Sequence, residues 1–224
     1  MIEHQIEYNK KKIREGMRII LTETTSSYFE HTIFKVVSVC DEGVYGIFDN
    51  FNGLKSNSKK PIALRWDQFE IIQTRGFEIV DKKFRKHPNV DIQLPKRGSF
   101  KSAGYDICTP VDITIPPYGI SDAIQTDIKA YMLDDEVLQI VPRSSIGFKK
   151  GLMLINTVGI IDSDFYSNKD NDGNIGFKLK NLTDKEVAIK AGERIMQGIF
   201  TKYLITDDDE CDNERTGGIG STGV

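Results

Sequence analysis

Short β-type segments separated by turn residues dominate this sequence of 224 residues. Runs rich in Val, Ile, Phe and Tyr are interrupted by Gly, Asn, Ser and Pro at intervals of roughly ten residues, which is typical of all-β sandwiches and barrels. No apolar run reaches the length of about 18 residues that a membrane helix needs. The sequence therefore predicts an all-β protein that does not span a membrane.

Two β-rich regions flank a polar segment, residues 80–104, that contains Pro and Gly. Residues 1–76 are predicted to form a small β-rich domain, and we expect an SH3-like barrel there. Residues 77–206 are predicted to form a second β domain. An acidic run then opens the segment 207–224, whose Gly-rich end is typical of a flexible arm.

Net charge bears on nucleic-acid binding, and the cysteines and the N-terminal segment bear on the cellular compartment. The net charge is −3, so no long basic surface for nucleic acid is expected. The three cysteines lie far apart along the chain, and no apolar leader segment opens the sequence. Free thiols and the missing leader are typical of a cytoplasmic protein.

Four short stretches carry the candidate chemistry: "SAGYDI" (102–107), "PRSSIGFKKG" (142–151), "NTVGIIDSDF" (156–165) and "RTGGIGSTG" (215–223). An Arg next to two hydroxyl side chains in a turn can hold phosphate through its guanidinium group and nearby N–H groups. In the third stretch, Gly159 precedes an Asp inside an apolar strand, and glycine there allows a ligand to approach closely. The fourth stretch could be a disordered tail or a Gly-rich phosphate-binding segment.

Other site types are excluded by missing patterns. The sequence has no GxxxxGK[ST], GxGxxG, HExxH or CxxC motif, and its three histidines all precede the second β region. The segment "NKDNDG" (168–173) resembles the start of a calcium loop, but the twelfth position is Leu179 instead of a bidentate Glu. We therefore expect a polar hairpin loop at that position.

In this order, and together with "AGERIMQGIF" (191–200), the four stretches resemble the five motifs of the homotrimeric dUTPase family. The resemblance covers roughly residues 80–224 and is strongest to enzymes of low-GC Gram-positive bacteria and their phages. It implies a β-clip fold, a distorted jelly roll, in a threefold trimer with shared active sites. It also implies hydrolysis of dUTP to dUMP and pyrophosphate with Mg²⁺, in the bacterial or the phage host's cytosol.

The resemblance assigns roles to individual residues. Asp162 would be the general base that activates water, and Asp106 would reach Mg²⁺ through water. The residues assigned to the phosphates are Arg143, Ser144, Ser145 through its N–H, Gln197, Arg215, Ser221 and Thr222. In this assignment the acidic segment carries the C-terminal arm to a neighbouring subunit, where Arg215 holds the γ-phosphate.

The resemblance also assigns the nucleoside contacts. These residues are Asn156, Gly159, Ile160 and Ile161 in a hairpin that contacts uracil, Phe165 under the deoxyribose, and Ile219 in the arm. Relatives more often have Tyr at the position of Phe165 and Phe at that of Ile219. Ile219 cannot stack on uracil as Phe does.

Two alternatives stay open. A dCTP deaminase shares the fold and an Arg-Ser-Ser motif, and a nucleotide-gated regulatory protein would use the same site for binding. Residues 1–76 fit a protein-binding domain, a nucleic-acid contact through residues 10–14, or a domain that packs on the trimer.

Overall fold

The computed structural model describes residues 9–10, 12–13, 17–21, 33–48, 61–66, 68–211, 213, 215 and 217–218. The chain divides into two compact units, residues 1–74 and 75–224. The second unit therefore begins at Arg75, and its first strand begins at Gly76. The expected boundary after residue 76 would cut this strand. Strands dominate both units, which confirms the all-β class.

The described residues of the first unit form an antiparallel sheet of five strands. These are β1 (Arg18–Leu21), β2 (Ile33–Val39), β3 (Gly43–Phe48), β4 (Ile62–Arg65) and β5 (Phe69–Ile72), in the spatial order β4-β3-β2-β1-β5. Four consecutive strands thus form a meander, and the fifth returns to the free edge of the first. An SH3-like closure of this sheet stays a prediction.

A separate apolar core lies in the first unit. Its buried side chains are Ile13, Ile19, Leu21, Phe34, Val36, Val44, Leu64, Trp66 and Phe69. The helical residue Asn9 is fully buried, and its amide donates to the carbonyl oxygens of Trp66 at 3.0 Å and Phe69 at 2.9 Å. These hydrogen bonds tie residues near the start of the chain to this core.

The second unit contains thirteen strands within its described residues. They are β6 (Gly76–Ile79), β7 (Lys96–Arg97), β8 (Tyr105–Cys108), β9 (Ile113–Ile115), β10 (Ile124–Gln125), β11 (Ile128–Tyr131), β12 (Glu136–Pro142), β13 (Leu152–Leu154), β14 (Gly159–Asp162), β15 (Gly176–Phe177), β16 (Leu179–Asn181), β17 (Val187–Ile189) and β18 (Arg194–Lys202). The helix α1 (Ser144–Lys150) follows β12, and 3-10 helices lie at Lys82–Phe84 and Ser163–Phe165.

Strand β12 lies inside the five-stranded sheet of the second unit, whose order is β14-β12-β18-β8-β7. The strand pairs antiparallel with β14 on one edge and with β18 on the other. Four two-stranded pairs, β10-β15, β11-β6, β13-β16 and β17-β9, complete the unit. Alternate side chains of these strands build one core, which includes Ile107, Leu138, Ile140, Leu179 and Ile195.

The polar loop 166–174 is held by its own side chains. Asn168 accepts hydrogen bonds from the N–H groups of Asp170 and Asn171, and it donates to the carbonyl of Phe165. Asn171 accepts from the N–H of Gly173 at 3.1 Å. The loop's Asn and Asp residues therefore satisfy its turns, as such side chains commonly do.

A buried ion pair anchors the same loop to the core. The Lys129 ammonium lies 3.0 Å from the Asp172 carboxylate, and the two side chains are 11% and 10% exposed. Burial opposes ionisation of Asp172, but the N–H of Asp81 and the Lys129 ammonium outweigh it and lower the pKa of this carboxyl. The contribution of Asp172 to stability is therefore present above the pKa of an unfolded Asp and is lost as the pH falls through the lowered folded pKa.

All three cysteines, Cys40, Cys108 and Cys211, are free thiols. Burial raises the pKa of Cys108. Within the described residues, no helix has the length and apolar character that a bilayer crossing requires.

We predict that Asp172→Asn lowers the free energy of unfolding by about 1.5–3 kcal/mol, the range for a hydrogen bond to a charged group. The variant removes the carboxylate that lies 3.0 Å from the Lys129 ammonium and leaves that of Glu78, 3.9 Å away. Urea unfolding at neutral pH measures this loss. The exposed Asp122→Asn variant is the matched control and should change stability by less than about 0.5 kcal/mol. Equal stability of the two variants would mean that the ion pair does not anchor the loop.

Candidate active site

One cluster of charged side chains lies where β8, β12 and β18 meet. Arg143 Nε lies 2.9 Å from Asp106 Oδ1, and Arg194 Nη1 lies 3.1 Å from Asp106 Oδ2. The Asp106 side chain is 12% exposed, whereas that of Arg194 is 55% exposed. Two guanidinium groups thus share one carboxylate, and the surplus positive charge suits an anionic ligand.

The backbone explains this assembly. Arg143 follows the last residue of β12, and its N–H donates to the carbonyl of Ile195 on β18 at 2.9 Å. Gln197 on β18 faces Asp106 on β8 in register. A Cβ at Gly104 would lie 2.3 Å from Gln197 Oε1, so glycine makes room there for the glutamine side chain. The structure therefore brings Asp106, Arg143 and Gln197 together.

Arg194 was missed as a functional candidate, although it lies in one of the quoted motifs. The available signal was its position three residues before Gln197, at the start of the same strand. What could not be read from the sequence was that β18 pairs with β8, which places Arg194 against Asp106.

Two serines, Ser144 and Ser145, come directly after Arg143 in the sequence. Ser144 is exposed and Ser145 is half-buried in the first turn of α1. The helix ends at Gly151, which has a φ of 63° and whose N–H donates to the carbonyl of Gly147. The short helix therefore begins directly after Arg143, which shares Asp106 with Arg194.

The segment before Asp162 connects two sheets. We expected a hairpin across Asn156 to Ile161, but β13 pairs with β16 and β14 pairs with β12. Asn156 and Ile160 are exposed, and Thr157 adopts a φ of 61°. The connection is therefore an exposed turn between sheets.

A second cluster lies at the end of β14. The carboxylate of Asp162 is 51% exposed and accepts a hydrogen bond from Arg215 Nη2 at 2.7 Å. Asp164 accepts from Arg215 Nε at 2.7 Å, and the Arg215 guanidinium carbon lies 5.6 Å from the ring centre of buried Phe165. We expected the C-terminal arm to reach a neighbouring subunit, but in this structure its Arg215 contacts Asp162 and Asp164 of the same chain.

An open cleft of about 660 Å³ lies here and is lined by Asp134, Asp162, Ser163, Asp164, Tyr203, Asn213 and Arg215. Within the described residues, no three His, Cys, Asp or Glu side chains converge in a way that could hold a metal ion. The residues Ile219, Ser221 and Thr222, which we expected in the arm's contacts, lie outside the described residues.

The two clusters lie at opposite ends of β12. Val137, at its start, is paired with Asp162, whereas Arg143 follows its last residue. The six steps along the chain from Val137 to Arg143 span about 20 Å at roughly 3.3 Å per residue. Moreover, Arg143 turns towards β8 and β18, and Asp162 lies on the opposite edge of β12. The structure therefore does not bring Asp162 and Arg143 together within one chain.

Residues 90–223 match a family model described as dUTPase. A deoxyuridine 5'-triphosphate nucleotidohydrolase of Lactococcus lactis is 47% identical over 155 residues, which cover 68% of this chain and 100% of the relative. A protein of the same name from Wolinella succinogenes is 34% identical over 142 residues, covering 61% of this chain and 89% of the relative.

A solved structure gives the same result for the fold. The crystal structure of dUTPase from Streptococcus mutans superposes with a TM-score of 0.52 at 42% identity, covering 59% of this chain and 98% of that one. The first unit, residues 1–74, lies outside the family match. The second unit has the dUTPase fold, and the chain belongs to the dUTPase family.

Proposed function

We propose that the chain hydrolyses dUTP to dUMP and pyrophosphate in active sites that neighbouring chains build together, with Asp162 as the general base. Family membership and the activity named for its relatives make the chain an enzyme acting on dUTP. The observation that carries the residue assignment is the exposed Asp162 carboxylate at the end of β14, in contact with an arginine of the arm.

Asp162 has the chemistry that this reaction needs. Its carboxylate lines an open cleft, so a water molecule can reach it. The water oxygen attacks the α-phosphorus, Asp162 takes the water's proton, and the bond between the α-phosphorus and the α,β-bridging oxygen breaks. Pyrophosphate leaves with that oxygen, and dUMP keeps the new one.

The first cluster supplies the grip on the phosphates. Arg143 and Ser144 contact the α- and β-phosphates together with the N–H of Ser145, and Gln197 faces them from β18. Arg194 adds a second guanidinium group 3.1 Å from the shared carboxylate. Preorganised cations aimed at the phosphates stabilise charge that develops as the bond breaks. In this proposal Arg215, Ser221 and Thr222 complete the grip from the arm.

The turn before Asp162 and the buried ring after it select the nucleoside. Backbone groups at Gly159, Ile160 and Ile161 hydrogen-bond uracil, and Asn156 contacts the edge of the base. Hydrogen-bond polarity rejects cytosine more strongly than size rejects thymine. Phe165 is 6% exposed, so its ring is fixed below the sugar and leaves no space for a ribose 2′-hydroxyl. Ile219 covers the base from the arm.

The residues present fit a Mg²⁺ ion that is held mainly by the nucleotide. Both Asp106 oxygens already face guanidinium groups, so Asp106 would hold the ion through water without giving up its arginine partners. Mg²⁺ commonly keeps several of its waters in such sites. When bound, it would neutralise charge on the triphosphate.

Sharing between chains follows from the distance between the two clusters. An Asp that activates water and an Arg that holds the same α-phosphate must both reach one phosphorus atom. About 20 Å of β12 separates Asp162 from Arg143, and their side chains lie on opposite edges of that strand. A second chain that presents its Arg143 to this Asp162 resolves the conflict, and a closed trimer satisfies it three times.

Large apolar side chains at the surface of the second unit support an assembly. Phe148 is 91% exposed, and Tyr118, Ile120 and Leu182 are also exposed. Apolar surface of this kind often marks an interface. We place the trimer in a reducing cytosol, where its three free cysteines would persist. The first unit is proposed as a docking domain for a protein partner.

We expect pyrophosphate release from dUTP, and not from dCTP, dTTP or UTP, when each is supplied separately with Mg²⁺. Pyrophosphate and ammonia assays run in parallel give the answer. Ammonia from dCTP would instead assign the chain to the dCTP deaminases. If none of the four reacts but dUTP binds, a nucleotide-gated regulatory protein replaces the enzyme.

Asp162→Asn should lower kcat by at least about a hundredfold, because an amide cannot take the proton from water. Calorimetry should show that the variant still binds dUTP within about threefold of the wild type. Asp122→Asn is the control and should have wild-type kinetics. Turnover within tenfold of the wild type would exclude Asp162 as the base.

Co-expression of Asp162→Asn chains with Arg143→Ala chains tests the sharing of sites. If each site takes its base and its phosphate grip from different chains, random mixing completes about one site in four and restores about a quarter of the wild-type rate. Each variant alone should be nearly inactive. A mixture as inactive as its components would show that one chain supplies both residues.

A further inference from the structure

The guanidinium group of Arg215 is held on three sides. Its Nε donates to Asp164 at 2.7 Å, its Nη2 donates to Asp162 at 2.7 Å, and its Nη1 lies 3.3 Å from the carbonyl oxygen of Gly218. The Arg215 side chain is 8% exposed although both carboxylates are about half exposed. The Arg215 side chain is therefore buried in the cleft.

One of these contacts, that of Arg215 with Asp162, involves the proposed general base. Asp162 must take a proton from water, but here one of its two carboxylate oxygens, Oδ2, accepts a hydrogen bond from Arg215 Nη2. An arginine has a fixed fork of donors, and its Nη1 and Nη2 edge can bind a phosphate through two parallel hydrogen bonds. A phosphate on that edge competes with Asp162 for Nη2 and leaves Nε with Asp164.

We propose that Asp164 is a positioning residue that keeps Nε of Arg215 while the terminal phosphate of the substrate replaces Asp162 at Nη2. The proposal rests on the proposed function and adds to it a residue that the motif assignments leave without a role. Asp164 thereby orients the guanidinium fork towards the phosphate. Arrival of that phosphate also frees Asp162 to act on water.

A second contact fixes the arm on the same side of the cleft. The N–H of buried Gly218 donates to the Asp170 carboxylate at 2.8 Å. Asp170 belongs to the loop 166–174, which the hydrogen bonds of Asn168 hold in shape and the Asp172–Lys129 pair anchors. The loop therefore offers a preformed acceptor for the arm on the C-terminal side of Arg215.

The arrangement predicts selectivity for phosphate number. A nucleotide that lacks the terminal phosphate offers nothing to replace Asp162 at Nη2, so Arg215 and Asp162 stay paired. Substitution of Asp164 should therefore weaken binding of the triphosphate and leave binding of dUMP unchanged, because dUMP does not reach the arginine.

A double-mutant cycle on Asp164 and Arg215 tests the proposal in the full-length protein. Calorimetry with the non-hydrolysable α,β-imido analogue of dUTP should show that Asp164→Ala weakens binding about tenfold, a loss typical of one charge-assisted hydrogen bond. In the Arg215→Ala background the same change should alter binding by less than about twofold, because Asp164 acts through Arg215.

Two comparisons separate positioning from general damage. Asp164→Asn keeps an acceptor oxygen for Nε and should recover part of the affinity, and Asp122→Ala should match the wild type. The affinity for dUMP should stay within about twofold in every variant. A loss at Asp164 that persists without Arg215, or that extends to dUMP, would overturn the proposal.

The cycle measures binding and does not need turnover. Failure of the substrate assay would contradict the proposed hydrolysis, whereas additive effects in the cycle would contradict the role of Asp164 alone. An unchanged affinity of Asp164→Ala for the triphosphate analogue would likewise overturn it.

Discussion

The pairing of β12 on both of its edges is the constraint from which the arrangement of the site follows. Because β14 and β18 lie on opposite sides of this strand, the residues that follow its end and those that face its start cannot meet. Arg143 contacts Asp106 on the β18 side of β12, whereas Asp162 lies on the β14 side of the same strand. The same hydrogen-bonded ladder that stabilises the unit therefore divides its functional residues into two half-sites.

Buried carboxylates hold the segments around these half-sites. Asp127 is fully buried and accepts hydrogen bonds from the N–H groups of Lys86 and His87 and from the amide of Asn174. The Asp172–Lys129 pair does the same for the loop after Phe165. An unmatched charge in these positions would be costly, so each carboxylate specifies where its loop must lie.

The all-β class and the family could be predicted from the sequence, because strand periodicity and the order of five motifs are local properties. The family's motifs assigned Asp106 and Arg143 to one kind of active site, but not the ion pair that the structure shows between them. The contacts of Arg194 and Asp164 could not be predicted. The contact of Arg194 depends on the register of β18 against β8. The contact of Asp164 depends on Arg215, which lies 51 residues later in the chain.

Two further expectations differed for similar reasons. The hairpin expected before Asp162 is a connection between sheets, because its two strands pair with other strands: β13 with β16, and β14 with β12. The boundary between the units lies near residue 74, since Arg75 belongs to the second unit. Its guanidinium group donates to the buried carboxylate of Glu136, 61 residues away, which no local pattern reveals.

The first unit has a core of its own, Ile13 to Phe69, and lies outside the family match. In the proposed trimer it would be present in three copies on one particle. A partner with several binding sites would then be held by multivalency, so a weak contact with each copy would suffice for a long-lived complex. The enzyme's oligomeric state would thereby set the strength of an interaction in which its active site takes no part.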